Sequence, residues 1–349
     1  MRLALAVVLV IGGCGFQRQA DFDLSLDRDG GDGGGAAGDG APAQDLAGLD
    51  LAGSDNCPHP SLLVGLENVS GSNGGGKVLR FTIGAGALQP CSTLTGGGTL
   101  PAQPLAVAFI PPDTVAAATR DGLYLLGVDD LVRWNRPIPD ISYLPVEVIP
   151  LKTPQGDTVP AVGYWHAGTS NPEIDHVDVQ RDSGPPAYTF PQSGGVLSIT
   201  QSPIDPGRWF ALDDSAAADD VDPFSGAKSP YRAPAGGTTS FQTVSASSMS
   251  GYNRVVWVDA AANAVDYVRE NNGNPILLGP IPCAAQTCNL IHAVPDPTDP
   301  TAFIALCEHA GTTTRDIVRW SSTGGACTAV YLGTQAGANT RLSRLAIAP

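Results

Sequence analysis

The chain has 349 residues, 42% of them hydrophobic, which is enough apolar material for a buried core and excludes global disorder. Its formal net charge of −15 comes from 34 acidic and 19 basic residues, and it argues against nucleic acid as a partner because phosphate binding needs a Lys/Arg surface. The 42 Gly and 30 Pro interrupt helices, so the short β-branched runs between them favour an all-β fold.

The chain begins with a segment typical of an export signal. The basic start Met1-Arg2 precedes nine apolar residues, 3–11, which are too few for a bilayer span of roughly 20 residues. The next motif, Ile11-Gly12-Gly13-Cys14, resembles the lipobox of bacterial lipoproteins. This resemblance implies cleavage before Cys14 and acylation of that cysteine. An ordinary secretory signal with a chance cysteine is the alternative.

The residues after Cys14 predict a tether and a destination. Residues 15–56 contain nine Asp, no Glu and no Lys, together with a Gly-rich run, so they can bury little and repel one another. A flexible chain of this length spans on the order of 35 Å. Gly15 is not the Asp that resembles an inner-membrane retention signal in Gram-negative lipoproteins, so we expect an outer-membrane anchor if the host has two membranes. The expected domains are a signal peptide (1–13), a lipidated cysteine and tether (14–56) and a folded domain (57–349).

From residue 57 onward, a unit of four apolar runs recurs at roughly 40 to 52 residues. The first run of each unit alternates with period two and ends in a Pro- or Asp-rich turn. Its copies are Leu105–Asp113, Val146–Pro150, Leu197–Pro206, Ile291–Asp296 and Leu342–Pro349. The third run carries an Arg after apolar residues, in Val78–Phe81, Leu131–Trp134, Val265–Arg269 and Ile317–Trp320.

These units predict a closed ring. A four-stranded unit cannot bury both of its faces alone, so about six units must stack radially. The first segment, Ser61–Leu66, lacks a preceding first run, and Leu342–Pro349 lacks the runs that should follow. Together they would complete one unit and leave few free sheet edges. The pattern resembles six- and seven-bladed β-propellers over nearly all of 57–349, and we predict a single six-bladed propeller closed by N- and C-terminal strands in one blade. A pair of β-sandwiches is the alternative architecture.

The cysteines of the folded domain predict disulfides. Six remain after Cys14, and an even number in an exported protein is typical of a disulfide framework, whose connectivity the sequence leaves open. The proposed pairs are Cys283 with Cys288 across a blade junction, Cys57 with Cys91 in the first blade, and Cys307 with Cys327 in the last. A zinc site is the alternative, although the Cys283-x₄-Cys288 spacing has only His292 nearby.

The loops between second and third strands of each unit carry the candidate ligand-binding residues, because propellers usually bind at the mouth of the central channel. We call the following set the rim candidates: Arg120, His166, Asp213, Asp214, Asp259 and His309. The tetrapeptide His-Ala-Gly-Thr starts at both His166 and His309, and two imidazoles on one rim could bind a metal or act as acid and base. A structural turn repeated by descent is the simpler interpretation.

A dense acidic segment suggests one possible cofactor. Carboxylates grouped in one loop suit Ca²⁺, and the members of this group are Asp213, Asp214, Asp219, Asp220 and Asp222. A solvated acidic loop without metal is the alternative, and we predict no other cofactor.

No catalytic motif is present, since the sequence has no Gly-x-Ser-x-Gly elbow and no phosphate-binding Gly loop. We therefore expect a non-enzymatic, membrane-anchored binding or scaffold module that presents a propeller face to an envelope protein, glycan or peptide, and that is a monomer. The alternative is a calcium-dependent hydrolase that resembles lactonase-type propellers.

Overall fold

A computed structural model describes residues 57–68, 76–98, 100–137, 142–166, 174–179, 188–189, 196–202, 205–213, 218–231, 241–249, 252–259, 264–271, 274–282, 288–321, 327–337 and 339–349. The predicted signal peptide, lipidated Cys14 and tether lie outside these residues. The described part contains 24 strands and one 3₁₀ helix, Gly333–Ala336, and it includes no helix long and apolar enough to cross a membrane.

The strands form units of four antiparallel neighbours. Unit 1 consists of β1 (Ser61–Asn68), β2 (Lys77–Thr82), β3 (Gln89–Leu94) and the last strand of the chain, β24 (Thr340–Ala348). Unit 2 consists of β4 (Pro104–Ile110), β5 (Thr114–Thr119), β6 (Gly122–Gly127) and β7 (Val132–Pro137). Unit 3 consists of β8 (Tyr143–Lys152), β9 (Thr158–His166), β10 (Ile174–Val179) and β11 (Tyr188–Thr189).

The second half of the chain repeats this arrangement. Unit 4 consists of β12 (Val196–Gln201), β13 (Trp209–Asp213), β14 (Ala218–Val221) and β15 (Lys228–Tyr231). Unit 5 consists of β16 (Phe241–Met249), β17 (Tyr252–Asp259), β18 (Ala264–Asn271) and β19 (Asn274–Pro282). Unit 6 consists of β20 (Cys288–Pro295), β21 (Ala302–His309), β22 (Arg315–Ser321) and β23 (Cys327–Tyr331). Units 3 and 4 join into one eight-stranded sheet through the pairing of Ile174 with Val196.

The first strands of the units close into a ring. Going around it, β24 contacts β4, β4 contacts β8, β8 contacts β12, β12 contacts β16, β16 contacts β20, and β20 contacts β24. The closure depends on the antiparallel ladder of β1 with β24, in which Leu62 lies opposite Ile347 and Leu63 opposite Ala346. The predicted β-propeller, with its terminal strands in one blade, is thereby confirmed, and the β-sandwich pair is wrong.

Successive apolar residues of a first strand pack alternately against the two neighbouring units. On β4, Ala106, Ala108 and Ile110 pack against unit 3, whereas Val107 and Phe109 pack against unit 1. Successive side chains of a strand point to opposite faces, so one inner strand contributes to the cores on both sides. Each fully buried aliphatic or aromatic side chain contributes roughly 1.5–3 kcal/mol. The core is therefore a set of layers between blades rather than one central cluster.

One predicted strand position is wrong. The run Leu131–Trp134 was expected in the third strand of its unit, but Val132 begins β7, the fourth strand, and the third strand is Gly122–Gly127. The other three Arg-containing runs do lie on the third strands β2, β18 and β22. The first strand of unit 5, Phe241–Met249, has none of the patterns used to recognise first runs.

Candidate functional site

The first strands surround a central cavity of about 440 Å³, which we call the channel cavity. Its wall consists of residues from β4, β8, β12, β20 and β24 and from the loops that follow some of these strands. Apolar side chains such as Ile199, Val294 and Ile347 form much of this wall. The volume lies within the roughly 300–1,000 Å³ typical of small-molecule sites.

Prolines surround the cavity where the first strands end. We call this group the proline mouth, and its members are Pro111, Pro150, Pro206, Pro295 and Pro349. They correspond to the Pro-rich turns that close the first runs in the sequence. Proline has no backbone N–H, so this end of the cavity is rigid and poor in hydrogen-bond donors. The mouth is therefore suited to contact with an apolar group.

Further from the mouth, four polar residues lie on the inner strands, and we call them the polar layer: Glu147, His292 and Arg344, which line the cavity, and the fully buried Ser198. Each lies three to five positions before the end of its first strand, so the strands place them at similar depth. The carboxylate Oε1 of Glu147 accepts a hydrogen bond from Ser198 Oγ at 3.1 Å and forms an ion pair with Arg344 Nη2 at 3.1 Å. Glu147 thus connects β8, β12 and β24.

The members of the polar layer differ in their burial. Ser198 is fully buried and His292 is 4% exposed, whereas the Arg344 side chain retains 14% of its accessible surface. Among the described residues, Arg344 forms a side-chain polar contact only with Glu147. Its guanidinium therefore presents further N–H donors to the cavity.

Lys152 adds a second cation near the proline mouth. It is exposed, lines the cavity and ends β8, which also contains Glu147. The five residue-to-residue steps from Glu147 to Lys152 correspond to about 17 Å along the strand. The cavity thus has one cation at its entrance and another beside the buried carboxylate.

The rim candidates lie at the opposite end of the sheets from the proline mouth. In the ladder of β8 with β9, His166 lies opposite Tyr143, and Lys152 lies opposite Thr158. The nine residue-to-residue steps from Tyr143 to Lys152 correspond to about 30 Å along the strand. The structure does place the described rim candidates beside second-to-third loops, as predicted, but the channel cavity opens elsewhere.

Several rim candidates have identifiable local roles. Arg120 is exposed in the tight turn between β5 and β6, and the His166 ring meets Tyr143 edge-on with centroids 5.0 Å apart. His309 Nε2 lies 2.7 Å from Asp316 Oδ2, and that carboxylate also accepts the Gly333 N–H at 2.7 Å through Oδ1.

The His309 copy of the His-Ala-Gly-Thr motif is a turn. Thr312 N–H and its hydroxyl both donate to the His309 carbonyl, at 3.1 Å each, and Gly311 has a φ of +77° that favours glycine. In the copy that begins at His166, residues 167–169 lie outside the described part. The turn interpretation therefore holds for the second copy, and the paired-histidine hypothesis stays a prediction.

The acidic segment is only partly described. Asp219 and Asp220 are consecutive residues of β14, so they point to opposite faces, and Asp220 pairs with Arg208 at 2.9 Å. Asp222 accepts hydrogen bonds from Phe224 N–H, Ser225 N–H and the Ser225 hydroxyl. Burial raises the pKa of Asp222, but these hydrogen bonds and the charge of Arg208 outweigh it and hold the pKa below its ordinary value.

Asp213 and Asp259 end β13 and β17, but their side chains, like all of Asp214, lie outside the described part. Within the described residues, no group of three or more His, Cys, Asp or Glu is arranged to hold a metal ion. The calcium set as a whole stays a prediction.

The disulfide predictions have different outcomes. Cys57 and Cys91 form the predicted bond, with Cα atoms 5.4 Å apart, and it connects the residues before β1 to β3. Cys307 and Cys327 are both disulfide-bonded, as their predicted pairing requires. Cys288 begins β20 after unit 5, where the predicted blade junction lies, but Cys283 is outside the described residues.

Sequence reasoning missed the residues of the polar layer and Lys152 as a site. A signal was available, because a charged residue inside an apolar first run is unexpected: Glu147 lies between two valines, and Arg344 precedes Leu-Ala-Ile. Such charges are almost never buried without a partner. The pairing itself could not be read from the sequence, since it requires the ring to bring β24 near β8.

No protein-family model matches the sequence, and neither does any curated protein. Solved structures do resemble it. A Bacteroides caccae protein of unknown function has a TM-score of 0.47 at 12% identity, covering 82% of this chain and 98% of that one. The β-propeller domain of Cps50 (Swd1) from Myceliophteria thermophila has a TM-score of 0.49 at 10% identity, covering 73% and 79%. A proposed 6-phosphogluconolactonase from Bacteroides fragilis has a TM-score of 0.49 at 11% identity, covering 83% and 98%. The propeller assignment for this chain rests on its own sheet topology.

Proposed function

We propose that the protein is a lipid-anchored binding module outside the cytoplasm, which receives a small ligand or a short segment of an envelope molecule in its channel cavity. The observation that carries this proposal is the cavity of about 440 Å³ with apolar walls and a small polar layer. Binding sites commonly combine an apolar surface with a few placed polar groups. The proposed anchor is the acylated Cys14, and the tether would let the propeller stand away from the membrane.

The character of the polar layer supports binding more than catalysis. Glu147 is held by an ion pair with Arg344 and by a hydrogen bond from Ser198. A carboxylate held by two partners in this way is suited to positioning Arg344. The calcium-dependent hydrolase hypothesis depends on Asp213 and Asp214, whose side chains lie outside the described residues.

A variant that fills the cavity tests the proposal. Ala346 lines the cavity and is half-buried, so Ala346→Trp should occupy the space that a ligand needs. Ala329→Trp is the matched control because Ala329 is exposed on the outer strand β23. The purified full chain is incubated with the low-molecular-mass fraction of an envelope extract and examined by native mass spectrometry.

We expect mass additions on the native protein and on Ala329→Trp, and their loss from Ala346→Trp. Circular dichroism and thermal unfolding must show that both variants remain folded. Equal additions to all three proteins would exclude the channel as the site, and no addition to any of them would count against the binding proposal.

The anchor requires a separate test. Cells that express the full chain are supplied with an alkyne-labelled fatty acid, and the label on the protein is measured for the native chain and for Cys14→Ser. We expect labelling and membrane association only for the native chain. A labelled Cys14→Ser chain, or an unlabelled native chain, would contradict lipidation at this residue.

A further inference from the structure

We infer that the channel cavity recognises a carboxylate attached to an apolar body, and that Arg344 binds the carboxylate. This inference rests on the proposed function, because it names the chemical class of the ligand in the same cavity. It depends on three observations: Arg344 has N–H donors that Glu147 does not use, few other charged side chains line the channel, and the proline mouth is apolar.

The first argument concerns the hydrogen bonds of Arg344. A guanidinium has five N–H donors in a fixed planar fork. Arg344 uses Nη2 for Glu147, and neither Nε nor Nη1 bonds to any other described residue. Arg344 lines the cavity with 14% of its side chain exposed, so these donors are accessible from the cavity. A carboxylate can accept from two donors of one guanidinium at once.

The second argument concerns the balance of charge in the cavity. Glu147 already accepts from Ser198 and Arg344, so a cationic ligand would compete with contacts that exist. The sixth inner strand, β16, contains no charged residue in its sequence. Lys152 adds a positive side chain at the entrance, where it is exposed to solvent. The inference therefore depends on Arg344 rather than on a net charge at the mouth.

The third argument concerns the rest of the ligand. The proline mouth offers no N–H groups, and the wall above the polar layer includes Ile199, Val294 and Ile347. A polyhydroxylated ligand would lose its water against these prolines and aliphatic side chains without gaining donors from them, at a cost in free energy. An apolar body with one acidic end satisfies both parts of the cavity. Such an end exists in free organic acids and at the carboxyl terminus of an apolar peptide.

Matched pairs of probes separate the carboxylate from the apolar body and distinguish its two sources. The first pair is 3-phenylpropionate and 3-phenylpropionamide, and the second is the tripeptide Val-Leu-Phe as its free acid and as its C-terminal amide. Isothermal titration with the full chain should show acid binding about 10- to 100-fold tighter than the amide, since the amide cannot form a charge-assisted pair. Preference for the first or second acid identifies the source.

Variants then assign the preference to Arg344. Arg344→Gln should remove the advantage of the acid over the amide, so that the two probes of each pair bind with equal affinity. Arg341→Gln is the matched control, because Arg341 lies on the same strand and pairs with Glu67 at 2.7 Å, away from the cavity lining. It should retain the full preference for the acid.

The comparison of acid and amide on the native protein tests the inference even if a variant fails to fold. If acid and amide bind the native protein equally, or if neither binds, the inference is wrong. It is also wrong if folded Arg344→Gln keeps the preference for the acid. The proposed function would survive each of these results, provided that Ala346→Trp still abolishes the envelope-derived mass additions.

Discussion

Two of the boundaries between blades are built differently. Between units 2 and 3, side chains from both sheets form an apolar cluster that includes Ile110, Val148 and Val162. Between units 6 and 1, an apolar cluster is also present, but arginines add directed polar contacts across the boundary. Arg319 Nη1 donates to the Gly84 carbonyl at 2.8 Å, and Arg315 Nη1 donates to the Leu342 carbonyl at 3.0 Å.

These arginines are themselves held by carboxylates. Asp296 is fully buried and lies 2.5 Å from Arg319 Nε, and Glu308 lies 2.7 Å from Arg315 Nε. Burial lowers the pKa of Arg315, and the charge of nearby Arg341 lowers it further. Apolar contact is non-directional, whereas these hydrogen bonds require a defined geometry. The boundary between units 6 and 1 thus combines apolar packing with hydrogen bonds that fix the alignment of the two sheets.

The largest expected effect is the loss of the Arg319 contact. Arg319→Ala leaves the carboxylate of Asp296 buried without its counter-charge, so we expect the free energy of unfolding to fall by about 3–5 kcal/mol. Urea unfolding followed by tryptophan fluorescence measures this change.

Arg133→Ala is the matched control within unit 2. Its side chain has the same 18% exposure as that of Arg319, but its partner Asp129 is 25% exposed rather than buried. We expect a loss below about 1 kcal/mol. Equal losses in the two variants would contradict the importance that we give to the buried carboxylate.

The next largest effect should come from the disulfide of unit 1. Replacement of both Cys57 and Cys91 by Ser frees the start of β1 from β3, and the free energy of unfolding should fall by about 2–4 kcal/mol. Urea unfolding followed by tryptophan fluorescence measures this loss, and no reductant is added so that other disulfides stay intact. An unchanged stability would show that the β1–β24 ladder alone holds this unit.

A smaller effect is expected in the apolar boundary. Ile110→Val removes one methylene from the cluster between units 2 and 3 and should cost about 0.5–1.5 kcal/mol. Because no charge is involved, the loss should be the same at low and at high NaCl concentration. A salt-dependent loss for Ile110→Val would contradict the distinction between the two boundaries.

The smallest effect concerns pH. Burial raises the pKa of Asp299, but hydrogen bonds from Thr301 and Ser321 and the charge of Arg319 outweigh it, so the pKa lies below its ordinary 3.8. A lowered pKa stabilises the fold above the unfolded-state value, and this contribution is lost as the pH falls through the folded-state value. Asp299→Asn should therefore be less stable than the native chain at pH 7. Acid titration of unfolding should show the difference disappearing below pH 3.8, and a difference that persists there would contradict the assignment.

Much of the fold was predictable because the first strands pack on both faces and therefore contain recognisable runs of apolar residues. Leu342–Pro349 is the clearest case, since its lack of following strands indicated the shared blade. The strand Phe241–Met249 was missed because Ser and Thr alternate with its few apolar residues and give no recognisable run. Leu131–Trp134 was misplaced because the preceding strand, Gly122–Gly127, is bounded by glycines and lacks the Arg that marks third strands elsewhere.

The site was less predictable than the fold. The described rim candidates lie next to one end of the sheets, whereas the residues around the channel cavity come from inner strands and from the loops at the other end. Glu147 and Arg344 are distant in sequence, and their contact exists only because the ring brings β8 and β24 toward each other. Buried pairing of this kind depends on closure, which no local pattern encodes.

The bond between Cys57 and Cys91 also determines how mechanical load enters the propeller. A pull transmitted through the residues before Cys57 reaches a covalent cross-link to β3 before it reaches β1. The force is then divided between two strands of one sheet and does not peel β1 away from β24. Such a load would leave the ring closed for as long as this cross-link stays oxidised.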